Sequence, residues 1–574
     1  MADDGGTYAF SGLPAGGYTL DFTDSVTLPS QSGWQQSDGG PFTLNFADSI
    51  SHVAVANGQT SDETRLVLYS GTRLLSEEIE LSSNYWPTAV SPDGAWVAVF
   101  SAINSTTGLG TLTLVSTSDA VPPRVLSTTA FANAFWVQPT MFSPDSSELL
   151  YLTDFVSSST VDGSSMYIVS TALGEPPVLV DSDVSYFRLS PDGLTIAYDK
   201  FPSGFLGVVS WAVPQAPIQL AADVNQPYEI RFTPDSDEIG YLGYQANNSF
   251  IGGQLEFVDI SGAGPPVVIA PNVNPFQPTA NHRVVYGSAP TPTSSQLILM
   301  MSDISGSGAA ITLAANFDVD FTGILPSPDW RRAATVDKSG SLYIVDSQSD
   351  DAPQPVASDL SQVYNWAPDG SRICFQGIPS AAPAGTSSDL EFVNPDGGGF
   401  VSLGAGGQVT LFSPDSQWLA ITAPGSIDAG GNQIRIVNAA GTVVLGPFGS
   451  NVTDPQRCFS PDSSRLAFLQ GNTSTLSVVS ITPGSLPIAV GTSRSEAYSF
   501  SPDSRSIGFI NPDGGATIAG ADGIGLPLPL IDRSNTFIWI DSGTVLATHE
   551  ASTAPGPFDF QDGLYRFAVP QPAP

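Results

Sequence analysis

Apolar residues recur two apart in short runs, as in Trp96-Val97-Ala98-Val99-Phe100 and Arg465-Leu466-Ala467-Phe468-Leu469, with Gly, Pro, Ser and Asp between the runs. That period predicts β-strands with a buried face. Nine such runs follow a Pro-Asp pair, whose aspartates are Asp93, Asp145, Asp192, Asp235, Asp329, Asp369, Asp415, Asp462 and Asp503. Successive spacings are 52, 47, 43, 94, 40, 46, 47 and 41 residues. The gap of 94 is two periods and holds a worn copy, "PTANHRVVYG" from Pro278; a second, "WIDSGTVLAT", begins at Trp539. The chain is thus a repeat protein of eleven units.

The columns around each aspartate are consistent. Three residues before it stand Phe142, Phe232, Trp366 and Phe459, with Pro326 the exception; four after it stand Val97, Leu149, Ile196 and Leu466. Six after it stand Tyr151, Tyr198, Tyr241 and Phe468, and the position between is mostly small, as at Ala197, Gly240 and Gly508. Small residues there would let a neighbouring sheet come close. The tetrad itself, such as Ser460-Pro461-Asp462-Ser463, reads as a type I turn: a hydroxyl first, Pro fixing φ second, Gly favoured fourth. Its aspartate braces local backbone N–H groups. The nine aspartates are therefore assigned a structural role, since a nucleophilic serine repeated nine times makes no chemical sense. A third apolar run follows each hairpin ("LEFVD", "IRIVN") and then a short fourth ("PPVVI"). Four strands in 40 to 50 residues describe a propeller blade.

The repeated "hSPDGxxhAh" unit resembles the TolB-type, WD-repeat-like Pro-Asp propeller repeat over roughly residues 80 to 570. The resemblance implies an all-β chain of tandem β-propellers, about eleven four-stranded blades divided as five and six. One unusually large ring is the alternative. It does not imply one function, because the family spans periplasmic scaffolds, kinase appendages and the gating domain of oligopeptidases. The segment "GGTYAFSGLPAGGYTLDF" from Gly5 resembles part of a carboxypeptidase-regulatory-like or SdrD-type B β-sandwich, which would place the opening strands and any export signal upstream of Met1. The expected domains are a partial sandwich at 1–70, a first propeller at 71–300 and a second at 301–574, with the ring boundary in the irregular stretch 271–327. The final unit lacks a fourth strand, and "RLLSEEIEL" from Arg73 is expected to supply it as a clasp.

Composition narrows the partners. The net charge of −37 reflects missing base, because charged residues are only 13% and only two lysines occur, Lys200 and Lys338. Nucleic acid and anionic membrane surfaces are disfavoured. No apolar run is long enough to cross a bilayer as a helix, so no membrane insertion is expected. The surface suits cations, glycans or a basic protein. Cys374 and Cys458 do not form a disulfide framework, and Cys374 falls in the small-residue column, as a packing thiol would.

Reactive constellations are sparse. His52, His282 and His549 have no ligand-spaced partners, and no Gly-x-Ser-x-Gly elbow, Walker loop, HExxH or EF-hand loop is present. No metal and no cofactor are expected; "DSD" at Asp181 offers too few oxygens for calcium. Aromatics recur just upstream of the hairpins. Trp86, Trp136, Tyr186, Tyr228, Tyr364 and Tyr498 are the candidate ligand-binding residues at a channel mouth, the alternative being packing between blades. The expected protein is not an enzyme. It is a binding or scaffolding platform of an exported bacterial protein, at the cell surface, outside the cell or in the periplasm, engaging a protein or a polysaccharide. The alternatives are a glycan-acting propeller enzyme using channel carboxylates, a sensory appendage of a larger enzyme, and a cytoplasmic location.

Overall fold

The Pro-Asp tetrads build hairpin turns of one geometry. In the computed structural model, Ser91 Oγ donates to Asp93 Oδ1 (2.6 Å) and accepts the Trp96 N–H (2.9 Å), while Ala95 N–H also donates to Asp93 Oδ1 (2.9 Å). The Ser91 carbonyl is already taken by Gly94 N–H, so the hydroxyl serves as the acceptor that Trp96 would otherwise lack. Eight of the nine turns repeat the serine or threonine to aspartate bond, at 2.5 to 2.7 Å. The ninth has Ala367 in the first position and keeps only the bond from Ser371 N–H to Asp369 (2.9 Å). Every fourth residue lies at positive φ, from 58° at Trp330 to 76° at Gly193, which is why glycine and serine collect there. Both expectations for the tetrad, a turn and a bracing aspartate, hold.

The described residues are 18–22, 52–57, 64–75 and, from 88 to 569, all but short intervals; the longest of these are 133–139, 225–229, 244–251, 318–322, 378–388, 425–431, 453–458 and 550–562. They are all β. Most turns join the first two strands of a four-stranded antiparallel sheet: Tyr186–Leu189, Thr195–Lys200, Phe205–Ser210 and Ile218–Ala221 form one such blade, paired in that order. We number the blades 1 to 11 along the chain, so that this is blade 3. The first two turns lie in one eight-stranded sheet, and the Pro461-Asp462 turn opens a three-stranded one through a single Phe459–Leu466 bridge. Blade 4 comprises Arg231–Phe232, Glu238–Gly243, Gly253–Asp259 and the first half of Val267–Thr279. The second half of that strand opens blade 5, so one sheet runs from Arg231 to Phe317, through the stretch where the sequence places a ring boundary.

Two compact units are present. One, Thr129–Phe448, holds blades 2 to 8; the other, Met1–Thr128 with Gly449–Pro574, holds blades 9 to 11 and most of blade 1. Within the second unit, blade 11 (Phe537–Asp541, Thr544–His549, Gly563–Ala568) takes its outer strand from Thr64–Leu75, whose Gly71 to Leu75 pair antiparallel with Phe567 to Leu564. The expected clasp is there, seated slightly earlier in the chain than "RLLSEEIEL". The same strand also carries His52–Asn57 on its other edge and, further along, Tyr18–Phe22.

The core lies between blades. Along Thr195–Lys200, Ile196 and Tyr198 enter a cluster with Leu150, Leu152 and Met166 of blade 2, while Ala197 enters one with Ile239, Tyr241 and Val258 of blade 4. Large side chains thus fill one face and small ones admit the neighbour on the other. At Gly240 a Cβ would stand 2.7 Å from Phe257 Cζ, and at Gly508 2.0 Å from the Phe537 ring, so these positions must stay bare.

Two repeated contacts lock neighbours together. The fourth-position serines 236, 416 and 504 accept the backbone N–H of Asp192, Asp369 and Asp462 in the preceding turn (3.0 to 3.1 Å). At the outer side, a glycine in the turn between the third and fourth strands seats an aliphatic side chain from the preceding blade's outer strand. The pairs are Gly262 with Ile218, Gly306 with Val267, Gly397 with Val356, Gly441 with Val401 and Gly523 with Ile488. Four of these glycines end an Asp- or Asn-x-x-Gly turn, and all five have φ between 68° and 80°.

Replacing Ala367 by Ser should restore the missing hydroxyl and stabilise its unit by about 1 kcal/mol, whereas Ser460→Ala should cost about 1–3 kcal/mol by orphaning the Arg465 N–H. Urea unfolding of the unit carrying each change checks both signs. Glycine seats are separable from backbone strain. Gly484 has φ 83° and open space within 4 Å of where a methyl would sit, while at Gly441 a Cβ would meet Val401 Cγ1 at 2.5 Å. Gly484→Ala should cost about 1 kcal/mol and Gly441→Ala about 1–3 kcal/mol more, read from the same unfolding curves.

Candidate functional site

In blade 3, the end opposite the Pro-Asp turn joins a dense set of polar groups to Tyr186, one of the candidate aromatics. Tyr186 starts the first strand there and is cross-strand partner to Asp199, which in turn pairs with Leu206. Because side chains alternate across the strand, Asp199 shares the face of Ala197 and looks toward blade 4, against which Tyr186 also packs. Tyr198 and Lys200 lie on the other side, toward blade 2.

On that blade 2 side, Asp181 accepts the Tyr198 hydroxyl (2.9 Å) and a bond from Lys200 Nζ, whose ammonium also stands 4.9 Å from the centre of the Phe205 ring. Burial first, and then the Asp181 charge and hydrogen bond, push the Tyr198 phenol well above its ordinary range. Asp181 lies in the strand Val178–Val184, and its carboxylate is engaged by an ammonium and a phenol. Among the described residues no group of three or more His, Cys, Asp or Glu is placed to hold a metal ion.

Asp199 is the anomaly. It is 1% exposed and neither carboxylate oxygen has a hydrogen-bond partner among the described residues. Burial pushes its pKa up to about 8. The equivalent position, seven after the turn aspartate, is Phe100, Leu152, Leu242, Val336, Leu469 or Ile510 in other blades, with Gln376 and Thr422 the remaining polar cases. That break in an apolar column is readable from the aligned repeats, though it lies one residue beyond the columns that define the motif. Glu148, beside the blade 2 turn, is also raised, to about 7, by burial and then by Asp145 and Glu175.

Of the six candidate aromatics, Trp86, Trp136 and Tyr228 lie outside the described residues, and for Tyr364 only the strand is described. Tyr186 is half-buried at the open end of blade 3. Tyr498 is 5% exposed and packs between blades 9 and 10 with Phe500, Ala467 and Leu469, so at this position packing wins over ligand contact. Tyr186 and Tyr364 belong to the unit Thr129–Phe448, and Tyr498 to the other. All nine turn aspartates sit in turns, as assigned. Their pKa is lowered at Asp145 by the Ser143 and Ser147 bonds, and at Asp192, Asp329 and Asp462 the bonds outweigh a burial penalty. His282, in the worn turn, takes the place of the fourth-position serine, with Nε2 3.4 Å from Asp235 and Nδ1 3.6 Å from Glu238 of blade 4. Cys374 is fully buried and its Sγ–H reaches the Glu391 carbonyl (3.3 Å), a packing thiol as expected.

No family model matches this chain, and no curated protein matches it. Solved structures similar to it include a eukaryotic initiation factor (15% identity, TM-score 0.40, 76% of this chain and 95% of that one). The tricorn protease follows at 10% identity and TM-score 0.28, over 90% of this chain and 58% of that one. A protein assigned to TolB from Agrobacterium tumefaciens gives 14% and 0.24, over 40% and 84%. The propeller fold rests on the chain's own four-stranded sheets.

Asp181→Ala should release both partners at once. Its expected cost is about 1–3 kcal/mol in the unfolding of residues 129–448. Alkaline titration of the phenolate absorbance, with Tyr198→Phe as the blank, should show the Tyr198 step move down toward the ordinary tyrosine range; an unmoved step would show that Asp181 does not set it.

Proposed function

We propose that the chain is a non-catalytic binding platform of an exported bacterial protein, engaging a protein or a polysaccharide. One observation carries the non-catalytic part. Every serine or threonine that stands two residues before a turn aspartate donates its hydroxyl proton to that aspartate and accepts a backbone N–H, so the most conspicuous hydroxyl–carboxylate pairs are spent on holding hairpins. Interlocked blades make a supporting frame for loops that bind. The surface, rich in Ser, Thr and Gly with scattered carboxylates and almost no lysine, suits neutral sugars or a basic polypeptide better than phosphate-bearing partners.

Glycan-array screening of the purified chain, together with affinity capture of protein partners from the periplasm or cell surface, tests the reading. Saturable retention of a polysaccharide or protein with no change in the retained molecule is the expected result. Release of new reducing ends from a bound glycan, or of peptide fragments from a bound protein, would overturn it in favour of an enzyme.

A further inference from the structure

The seam between blades 3 and 4 holds a carboxylate where most blades place an aliphatic or aromatic side chain. It is apolar where Ala197, Leu206, Val208, Ile230, Ile239 and Val258 meet, and Asp199 projects into it from the position where most blades place an aliphatic side chain. A carboxylate at 1% exposure without a partner among the described residues cannot keep its charge cheaply, and a protein meets that cost by keeping the group neutral or by opening the site to water. Among the described residues, the titratable or charged groups that face this seam are few. Tyr186 comes from the first strand of blade 3, and Arg188 on the same strand spends its guanidinium on the Ile230 carbonyl (3.1 Å). From blade 4 come Tyr241 and Glu256, bonded to each other at 2.6 Å, with Gln254 holding the second Glu256 oxygen (2.7 Å). None of these is bonded to Asp199. Lys200 is turned away, onto Asp181.

We propose that the seam between blades 3 and 4 is an acid-tightened joint, closed while Asp199 is a neutral acid and loosened when that proton leaves. The step is a single proton dissociation from one Asp199 oxygen to solvent; no bond other than O–H breaks. Its sign follows from linkage. The group binds its proton more tightly in the closed joint than in the open one, with a pKa of about 8 against an ordinary value near 3.8. Closure is therefore strongest below about pH 4, weakens as pH rises, and stops weakening above about pH 8. The turn aspartates act with the opposite sign and in a lower window, since their lowered pKa favours the folded turns above pH 4 and is lost only in stronger acid. The inference is independent of the binding role proposed above.

Amide hydrogen exchange in the intact chain tests it. After correction for the intrinsic pH dependence, the opening constant for amides of Thr195–Lys200 and Glu238–Gly243 should rise between about pH 4 and 8, by up to about tenfold per unit, and then level off. The equivalent strand of blade 10, Ser506–Ile510, which ends in an isoleucine at this position, should stay flat. Asp199→Asn and Asp199→Leu should both abolish the rise, whereas Glu148→Gln and Glu238→Gln, which remove raised carboxyls of blades 2 and 4, should leave it in place. Infrared difference spectra at neutral pH should contain a protonated-carboxyl C=O band that Asp199→Asn removes. An unchanged pH slope in Asp199→Asn, or the absence of that band from the difference spectrum, would overturn the proposal; if Asp199→Leu fails to fold, the isosteric Asn variant still decides it.

Discussion

A four-stranded sheet cannot bury both of its faces by itself, and that constraint governs this chain. Each second strand is closed to water on two sides, as at Ile196, Ala197 and Tyr198, and the two sides belong to different neighbours. Stability therefore resides in seams, not in sheets. The hairpin turns, the bare glycines of the small-residue column and the glycine seats on the outer side all serve the same end, which is to let one twisted sheet approach the next without a gap. A blade removed from its neighbours would leave an apolar face on each side and has no reason to stay folded.

The same constraint explains why so much of the fold is legible in the sequence. The Pro-Asp pairs recur because a turn of fixed geometry must be made again and again, and its chemical requirements are few: a hydroxyl, a fixed φ, a carboxylate, and a residue tolerant of positive φ. Ala367 shows the limit of that rule, since the turn survives without the hydroxyl. The small column at Ala197, Gly240 and Gly508 is likewise visible, because steric exclusion leaves a compositional trace. The clasp near Arg73 is inferable because a three-stranded last unit demands a partner for its open edge.

The rest is hidden for identifiable reasons. The glycine seats, most of them in Asp- or Asn-x-x-Gly turns, lie outside the columns around the Pro-Asp pair, and their function lies in a contact with a residue some forty positions earlier. Tyr498 cannot be told from a surface aromatic, because an exposed ring and a ring between blades satisfy the same alternating pattern. Asp199 needs the reverse of a motif: not a conspicuous residue in a loop, but an acid where the column is otherwise mostly apolar. Burial cost, the quantity that makes it notable, is a property of its surroundings and has no representation in local composition.

The strand Thr64–Leu75 has a temporal meaning as well as a geometric one. It leaves the ribosome long before Gly563–Ala568, the edge it completes, and nearly all of the intervening sequence must be synthesised between them. Until then, neither blade 11 nor its seam with blade 1, where Leu546 and Leu564 meet Val97 and Val99, can exist. An early segment of the nascent polypeptide must therefore wait, unpaired or provisionally paired, for a late one. Maturation of that unit cannot begin from its N-terminal side alone, and a chain released prematurely would display an open edge as a ready tag for quality control.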